Sequence, residues 1–161
     1  MGVFFSGKEL VDIAVGIEKS GMAYYDAMIK CARSKKAKTA FAYLANQEKK
    51  HIKVYQRMLS SVADAPPPES YTEEYDQYLK SLVDSAVFSS EGAACTIAES
   101  TTSDAEGIDF GIRAEKDSIL FYTEIQNLVR RSDAKVIGRI IEEERSHLKR
   151  LSELKAGLAK A

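Results

Sequence analysis

The chain has 161 residues and a formal charge of −1, from 23 Lys plus Arg against 24 Asp plus Glu. That length suits one domain able to bury a core without covalent staples, and the near-neutral balance offers no global field to attract nucleic acid or an anionic membrane. Two widely separated cysteines, Cys31 and Cys95, form no CxxC pair, which argues against a disulfide framework or a cysteine-built metal site and fits a reducing cytoplasm.

No apolar run approaches the roughly 18 residues needed to cross a bilayer, and the N-terminus lacks the basic and apolar regions of a secretory signal. A soluble, unprocessed, cytoplasmic protein is expected. Gly2 with Ser6 matches the short myristoylation pattern M-G-x-x-x-[ST]. The preferred reading is a helix start, with Ser6 and Glu9 as a capping box and Phe5 placed to staple onto Leu10.

The elements follow in chain order. Leu10, Ile13, Ala14, Ile17, Gly21, Tyr24, Tyr25 and Met28 recur at helical spacing and predict a long helix over about residues 6 to 32. Phe41, Leu44, Ala45, Ile52, Tyr55 and Leu59 carry the same period through a second helix, and only Arg33 to Lys38 leaves room for a turn. The two form an antiparallel hairpin. Pro66, Pro67 and Pro68 then stop the helix, since they lack backbone donors and force the preceding residues into extended conformations.

Beyond the prolines, Ser70 and Glu73 read as a capping box, and Tyr71, Tyr75, Tyr78, Leu79, Leu82, Val83, Ala86 and Val87 form an apolar helical stripe. This crossover could cap the bundle or mediate a homodimer, or its tyrosines could be a packing face. A third long helix is predicted from about Asp104 to Arg131, and a fourth, capped by Ser132 or Asp133, to near Leu158. No segment alternates as a strand does. Two short hairpins joined by a connection of about 40 residues give an all-α, ferritin-like four-helix bundle with a long, partly helical crossover.

The chain also repeats. A shift of 97 residues lays Val11-Asp12-Ile13 on Ile108-Asp109-Phe110, Glu18-Lys19 on Glu115-Lys116, and Tyr25 on Tyr122. A shift of 96 lays Phe41, Leu44, Glu48 and His51 on Ile137, Ile140, Glu144 and His147. The bundle is two copies of one hairpin.

A glutamate and a histidine three apart share a helix face, and both of the chain's only histidines sit in such an ExxH pair. One pair alone would pass as an accident of a glutamate-rich helix. Two pairs, with one glutamate from each remaining helix, make a dinuclear metal site of Glu18, Glu48, His51, Glu115, Glu144 and His147, and this mixed oxygen and nitrogen set suits iron, manganese or zinc. All four glutamates lie on apolar stripes, where unpaired carboxylates would each cost several kcal/mol or take up protons. Two divalent cations cancel those four charges.

At these residues the chain resembles the rubrerythrin-like branch of the ferritin-like superfamily, whose hairpin reads Glu-x6-Tyr followed about 30 residues later by Glu-x-x-His. The resemblance covers both hairpins. It implies that Glu48 and Glu144 bridge two irons, with Glu18 and His51 terminal on one and Glu115 and His147 on the other. It further implies that Tyr25 and Tyr122 donate hydrogen bonds to ligand carboxylates, although aromatics at helical spacing are also ordinary core.

Two departures stand out. The cysteine pairs of a rubredoxin-like module are missing, so electrons would come from an external donor such as a rubredoxin-like protein. Ser118 stands where rubrerythrin peroxidases place an extra glutamate, which bears on the peroxidase assignment itself.

The leading expectation is a diiron redox protein that reduces hydrogen peroxide or dioxygen in oxidative-stress defence, as a peroxidase or ferroxidase. Two alternatives are iron binding for storage or delivery and a metal-free helical interaction protein. Substrate hydroxylation ranks last, on the expectation that so short a chain has little structure to spare for an organic-substrate channel.

Overall fold

The computed structural model describes residues 4–62 and 71–160, and all regular structure there is helical. The first helix, α1 (Gly7–Cys31), starts as its sequence predicts: Ser6 accepts from the Glu9 amide, and the Glu9 side chain accepts from the Ser6 amide. Its partner α2 (Lys35–Ser61) follows a turn shorter than expected, because Ser34 caps α2 directly. Both oxygens of Asp104 accept from that turn, one from the Arg33 amide at 2.7 Å and one from the Ser34 amide at 2.8 Å.

Helix α2 ends ahead of the prolines, which lie outside the described residues together with Gly2 and Ser70. The crossover departs from the single stripe read in the sequence. It holds two helices, α3 (Glu73–Asp84), capped by Thr72, and α4 (Glu91–Ser100), capped by Ser90. The Ser70–Glu73 box is thus superseded by a cap two residues on, where Thr72 Oγ1 accepts from Tyr75 N at 3.2 Å. Helix α4 was not anticipated, since its small residues carry a weak apolar signal, with only Ala94 and Ala98 buried.

Helix α5 (Asp104–Gln126) stops five residues earlier than the sequence suggested. Gln126 folds back to donate to the Ala134 carbonyl at 2.9 Å, which closes the turn into α6 (Arg131–Ala159). Neither Ser132 nor Asp133 caps α6. Arg130 holds that position without a side-chain cap, and its guanidinium pairs with Asp133 inside the first turn at 2.5 Å.

Helices α1 with α2 and α5 with α6 form two packed hairpins, while α4 lies on α1 and α3 on α5. Buried Asp76 anchors the crossover, accepting from the Phe5 amide at 3.0 Å and from Tyr71 Oη at 2.8 Å. The apolar interior divides into two clusters. One contains Leu10, Ala14, Tyr55, Phe121 and Ile137; the other contains Tyr24, Phe41, Leu44, Ile108 and Leu151. The four site glutamates and both histidines belong to neither, yet all six are buried. No described helix is long and apolar enough to cross a membrane.

Candidate metal centre

Helical spacing aims the six side chains inward. Glu48 and His51 leave α2 one turn apart, Glu144 and His147 do the same from α6, and α1 and α5 contribute Glu18 and Glu115. None is more than 5% exposed, so the six form a water-poor layer within the bundle.

Their ligand atoms gather in two groups, each within 4.8 Å: Glu18, Glu48, His51 and Glu144, then Glu48, Glu115, Glu144 and His147. Glu48 and Glu144 belong to both. Glu144 lies between the imidazoles, with Oε1 2.9 Å from His51 Nδ1 and Oε2 2.8 Å from His147 Nδ1. His51 Nδ1 also lies 3.3 Å from Glu18 and 3.7 Å from Glu48, and His147 Nδ1 lies 3.8 Å from Glu115. Both rings therefore turn Nδ1 toward the carboxylates, and they stand nearly parallel, 5.8 Å apart.

Two tyrosines brace the layer from opposite hairpins. Tyr25 of α1 donates to Glu115 Oε1 of α5, and Tyr122 of α5 donates to Glu18 Oε1 of α1, each at 2.5 Å. In both carboxylates Oε2 is the atom that faces a histidine. Helix α5 admits Tyr25 because Gly111 has no Cβ, which would sit 3.3 Å from the Tyr25 ring. Replacing Tyr25 or Tyr122 with Phe frees one carboxylate without altering the donor set. Each variant is expected to lose roughly 10- to 100-fold in affinity for one of two metals, read as a split in competitive chelator titrations.

The electrostatics of the metal-free layer are those of crowded acids. Burial, reinforced by neighbouring carboxylates, raises the pKa values of Glu48 and Glu115 well above the usual range and raises that of Glu18. His147 is pushed up to about 10: burial opposes its charge, but hydrogen bonds to Glu115 and Glu144 outweigh it. His51 rises for the same reason, through Glu144, Glu18 and Glu48. Glu144 moves the other way, because its two histidines overcome the burial that would raise it.

Protons thus hold the layer together when no cation does. Glu144 Oε1 lies centrally between the two groups, 2.9 Å from His51 Nδ1 but poorly aligned with it. An acceptor-rich layer of four buried carboxylates, met by two imidazoles and two tyrosine hydroxyls, fits a pair of divalent cations.

The family model for rubrerythrin matches residues 9–155. The chain belongs to the rubrerythrin family. The match of this rubrerythrin-family chain to a solved structure is also extensive. A Thermotoga maritima protein proposed to be a ferritin-like diiron-carboxylate protein superposes with a TM-score of 0.70 and 24% identity, covering 97% of this chain and 98% of that one. The bundle is therefore ferritin-like in fold. Curated proteins give no match.

Sequence reasoning missed three features of the site. Glu143 Oε2 lies 2.7 Å from His51 Nε2, an outer contact that leaves Nδ1 to the carboxylates; the acidic run at 142–144 was its only signal. The buried Tyr55 hydroxyl has no hydrogen-bond partner, and its phenol pKa is raised well above normal by burial and by Glu18, Glu144 and Glu48; as an aromatic on an apolar stripe it read as core. The third is a cavity of about 370 Å³ beside Glu48 and Glu115, walled by α1, α5 and the crossover. The crossover supplies one of its walls, a role beyond the cap, dimer contact or packing face read for it in the sequence.

Proposed function

We propose that this protein holds two iron ions through Glu18, Glu48, His51, Glu115, Glu144 and His147 and uses them to reduce hydrogen peroxide or dioxygen. The observation that carries the reading is the sharing of Glu48 and Glu144 between two buried ligand groups, each completed by one further glutamate and one histidine. Glu48 and Glu144 would be shared between the two ions, with Glu18 and His51 completing one set of ligands and Glu115 and His147 the other. Iron bound there would supply the two electrons that reduction of a peroxide bond consumes.

The chain's own residues do the rest. Tyr25 and Tyr122 keep the terminal carboxylates oriented as the charge of the centre changes. The apolar clusters on either side keep water from competing for the ligands. The oxidant enters by the cavity that reaches Glu48 and Glu115, and an external electron carrier restores the reduced state.

The test is anaerobic loading with ferrous ion followed by stopped-flow mixing with hydrogen peroxide or dioxygen. Two ferrous ions oxidised per chain, faster than free ferrous ion under the same conditions, is the expected result. Oxidation no faster than that of free ferrous ion for both oxidants would remove the redox reading.

A further inference from the structure

We infer that the cavity beside the carboxylates is a binding site for the apolar part of an organic hydroperoxide, so that the protein reduces alkyl hydroperoxides as well as the small oxidants. The inference rests on the redox reading above and adds the substrate class.

Position is the first argument. The cavity runs from exposed Gly16, Ser89 and Glu91 at its mouth to buried Tyr25, Glu48 and Glu115 at its inner end. No histidine lines it. His51 instead borders a separate groove on the α2–α6 side, with Glu143 and Arg139. The imidazoles thus approach the centre from one side, and the side away from them opens onto the cavity.

Size and chemistry are the second. A water molecule takes about 30 Å³ of liquid, so about 370 Å³ is several times the space hydrogen peroxide requires. It falls instead within the range of small organic ligand sites. The walls are mainly apolar: Ile13 and Ile17 from α1, Phe121 from α5, and Leu82, Val87 and Phe88 from the crossover. A tail would lie along these residues with its peroxide end at Glu48 and Glu115.

The third argument is the clearance between the cavity and the carboxylates. Gly21 and Ser118 occupy equivalent positions in the two halves of the repeat, and both line the cavity. A Cβ at Gly21 would already stand 3.6 Å from Glu48 Cδ, so a longer side chain there would intrude on the passage. The roof is tied down as well, since the Val87 amide donates to Asp117 Oδ2 of α5 at 2.8 Å.

The reaction balances without a further reagent in a single turnover. The O–O bond of ROOH breaks, two ferrous ions each give one electron and become ferric, and two protons complete ROH and water. In continued turnover the same external carrier returns both electrons.

Binding can be read apart from turnover. In zinc-loaded protein, which is redox-inert, straight-chain alcohols of the product class from butanol to heptanol are titrated by amide NMR. Affinity should tighten on the order of fourfold per added methylene, with shifts centred on Ile17, Leu82 and Phe88. Gly16→Leu should weaken heptanol at least tenfold. Its Cβ meets nothing within 4 Å, so the side chain extends into open space, and Leu is the better helix former. Ala114→Leu, on the opposite wall, is the second variant should the first fail to fold.

In iron-loaded protein, Gly16→Leu should lower the single-turnover rate with an alkyl hydroperoxide relative to that with hydrogen peroxide. Alcohol affinity independent of chain length, or shifts away from the cavity, overturns the proposal and leaves hydrogen peroxide reduction standing. Failure of the wild-type iron protein to oxidise with hydrogen peroxide or dioxygen overturns the redox reading, whatever the alcohols do.

Discussion

Glu144→Ala is expected to reduce bound metal from two ions per chain to none, whereas Glu18→Ala or Glu115→Ala should each leave one. The difference follows from sharing. Glu144 belongs to both ligand groups, with one oxygen 2.9 Å from His51 Nδ1 and the other 2.8 Å from His147 Nδ1. Its removal takes a donor from each metal and the charge that makes two cations tolerable so close together. Glu18 and Glu115 each belong to one group only.

Elemental analysis after gel filtration reads the stoichiometry directly. One metal retained by Glu144→Ala would show that the two groups are independent sites. The same substitution should destabilise the metal-free protein by about 3–5 kcal/mol, because two buried imidazolium groups lose the carboxylate between them. Glu144→Gln, which keeps the shape and removes the charge, should show both losses without the cavity that Ala leaves.

The second large effect is the dependence of the site on pH. In the metal-free layer, burial and neighbouring carboxylates favour protonated Glu48 and Glu115, and the carboxylates beside them favour protonated His51 and His147. Ligands must shed these protons to bind metal. Loading at pH 7 should therefore release roughly two to four protons per chain, and apparent affinity should fall steeply as pH is lowered.

The stability of the metal-free protein has the opposite dependence. His147 is raised from 6.5 to about 10 in the folded state, so its contribution is fully present below pH 6.5 and is lost as pH rises through about 10. Glu48 and Glu115, also raised, act in the same direction, while the depressed Glu144 loses its contribution only in acid. The metal-free Tm should fall between pH 6.5 and 10, and the metal-loaded Tm should stay flat over the same window. A metal-free Tm that rises with pH would mean that the glutamates are ionised and paired by something other than the histidines.

These effects trace to features that differ in how plainly the sequence carries them. The ExxH pairs at Glu48 and Glu144 and the internal repeat were legible because helix geometry turns a spacing of three or four into a shared face, and the repeat shows twice what one hairpin would leave ambiguous. Tyr25 and Tyr122 were legible as a repeated pair, but the hydrogen bonds crossing from α1 to α5 and back are tertiary facts.

The boundaries near α6 misled because Ser132 and Asp133 have strong capping chemistry, while the position went to Arg130 through contacts with Asp133 and with Ser61 of α2. Helix α4 was invisible for a related reason: its buried face is made of alanines, which signal helix without signalling burial. The cavity could not be read at all, since it exists only where the crossover meets α1 and α5, and Gly21 and Ser118 matter there for what they leave out.

The central claim is that four helices bring acidic side chains together around two cations. Anomalous diffraction at the iron edge, from crystals of iron-loaded protein, tests it most directly. Two peaks about 3.5–4 Å apart, within bonding distance of Glu18, Glu48, His51, Glu115, Glu144 and His147, is the predicted result. A single peak, or peaks away from these side chains while the layer stays closed by its own hydrogen bonds, would contradict it.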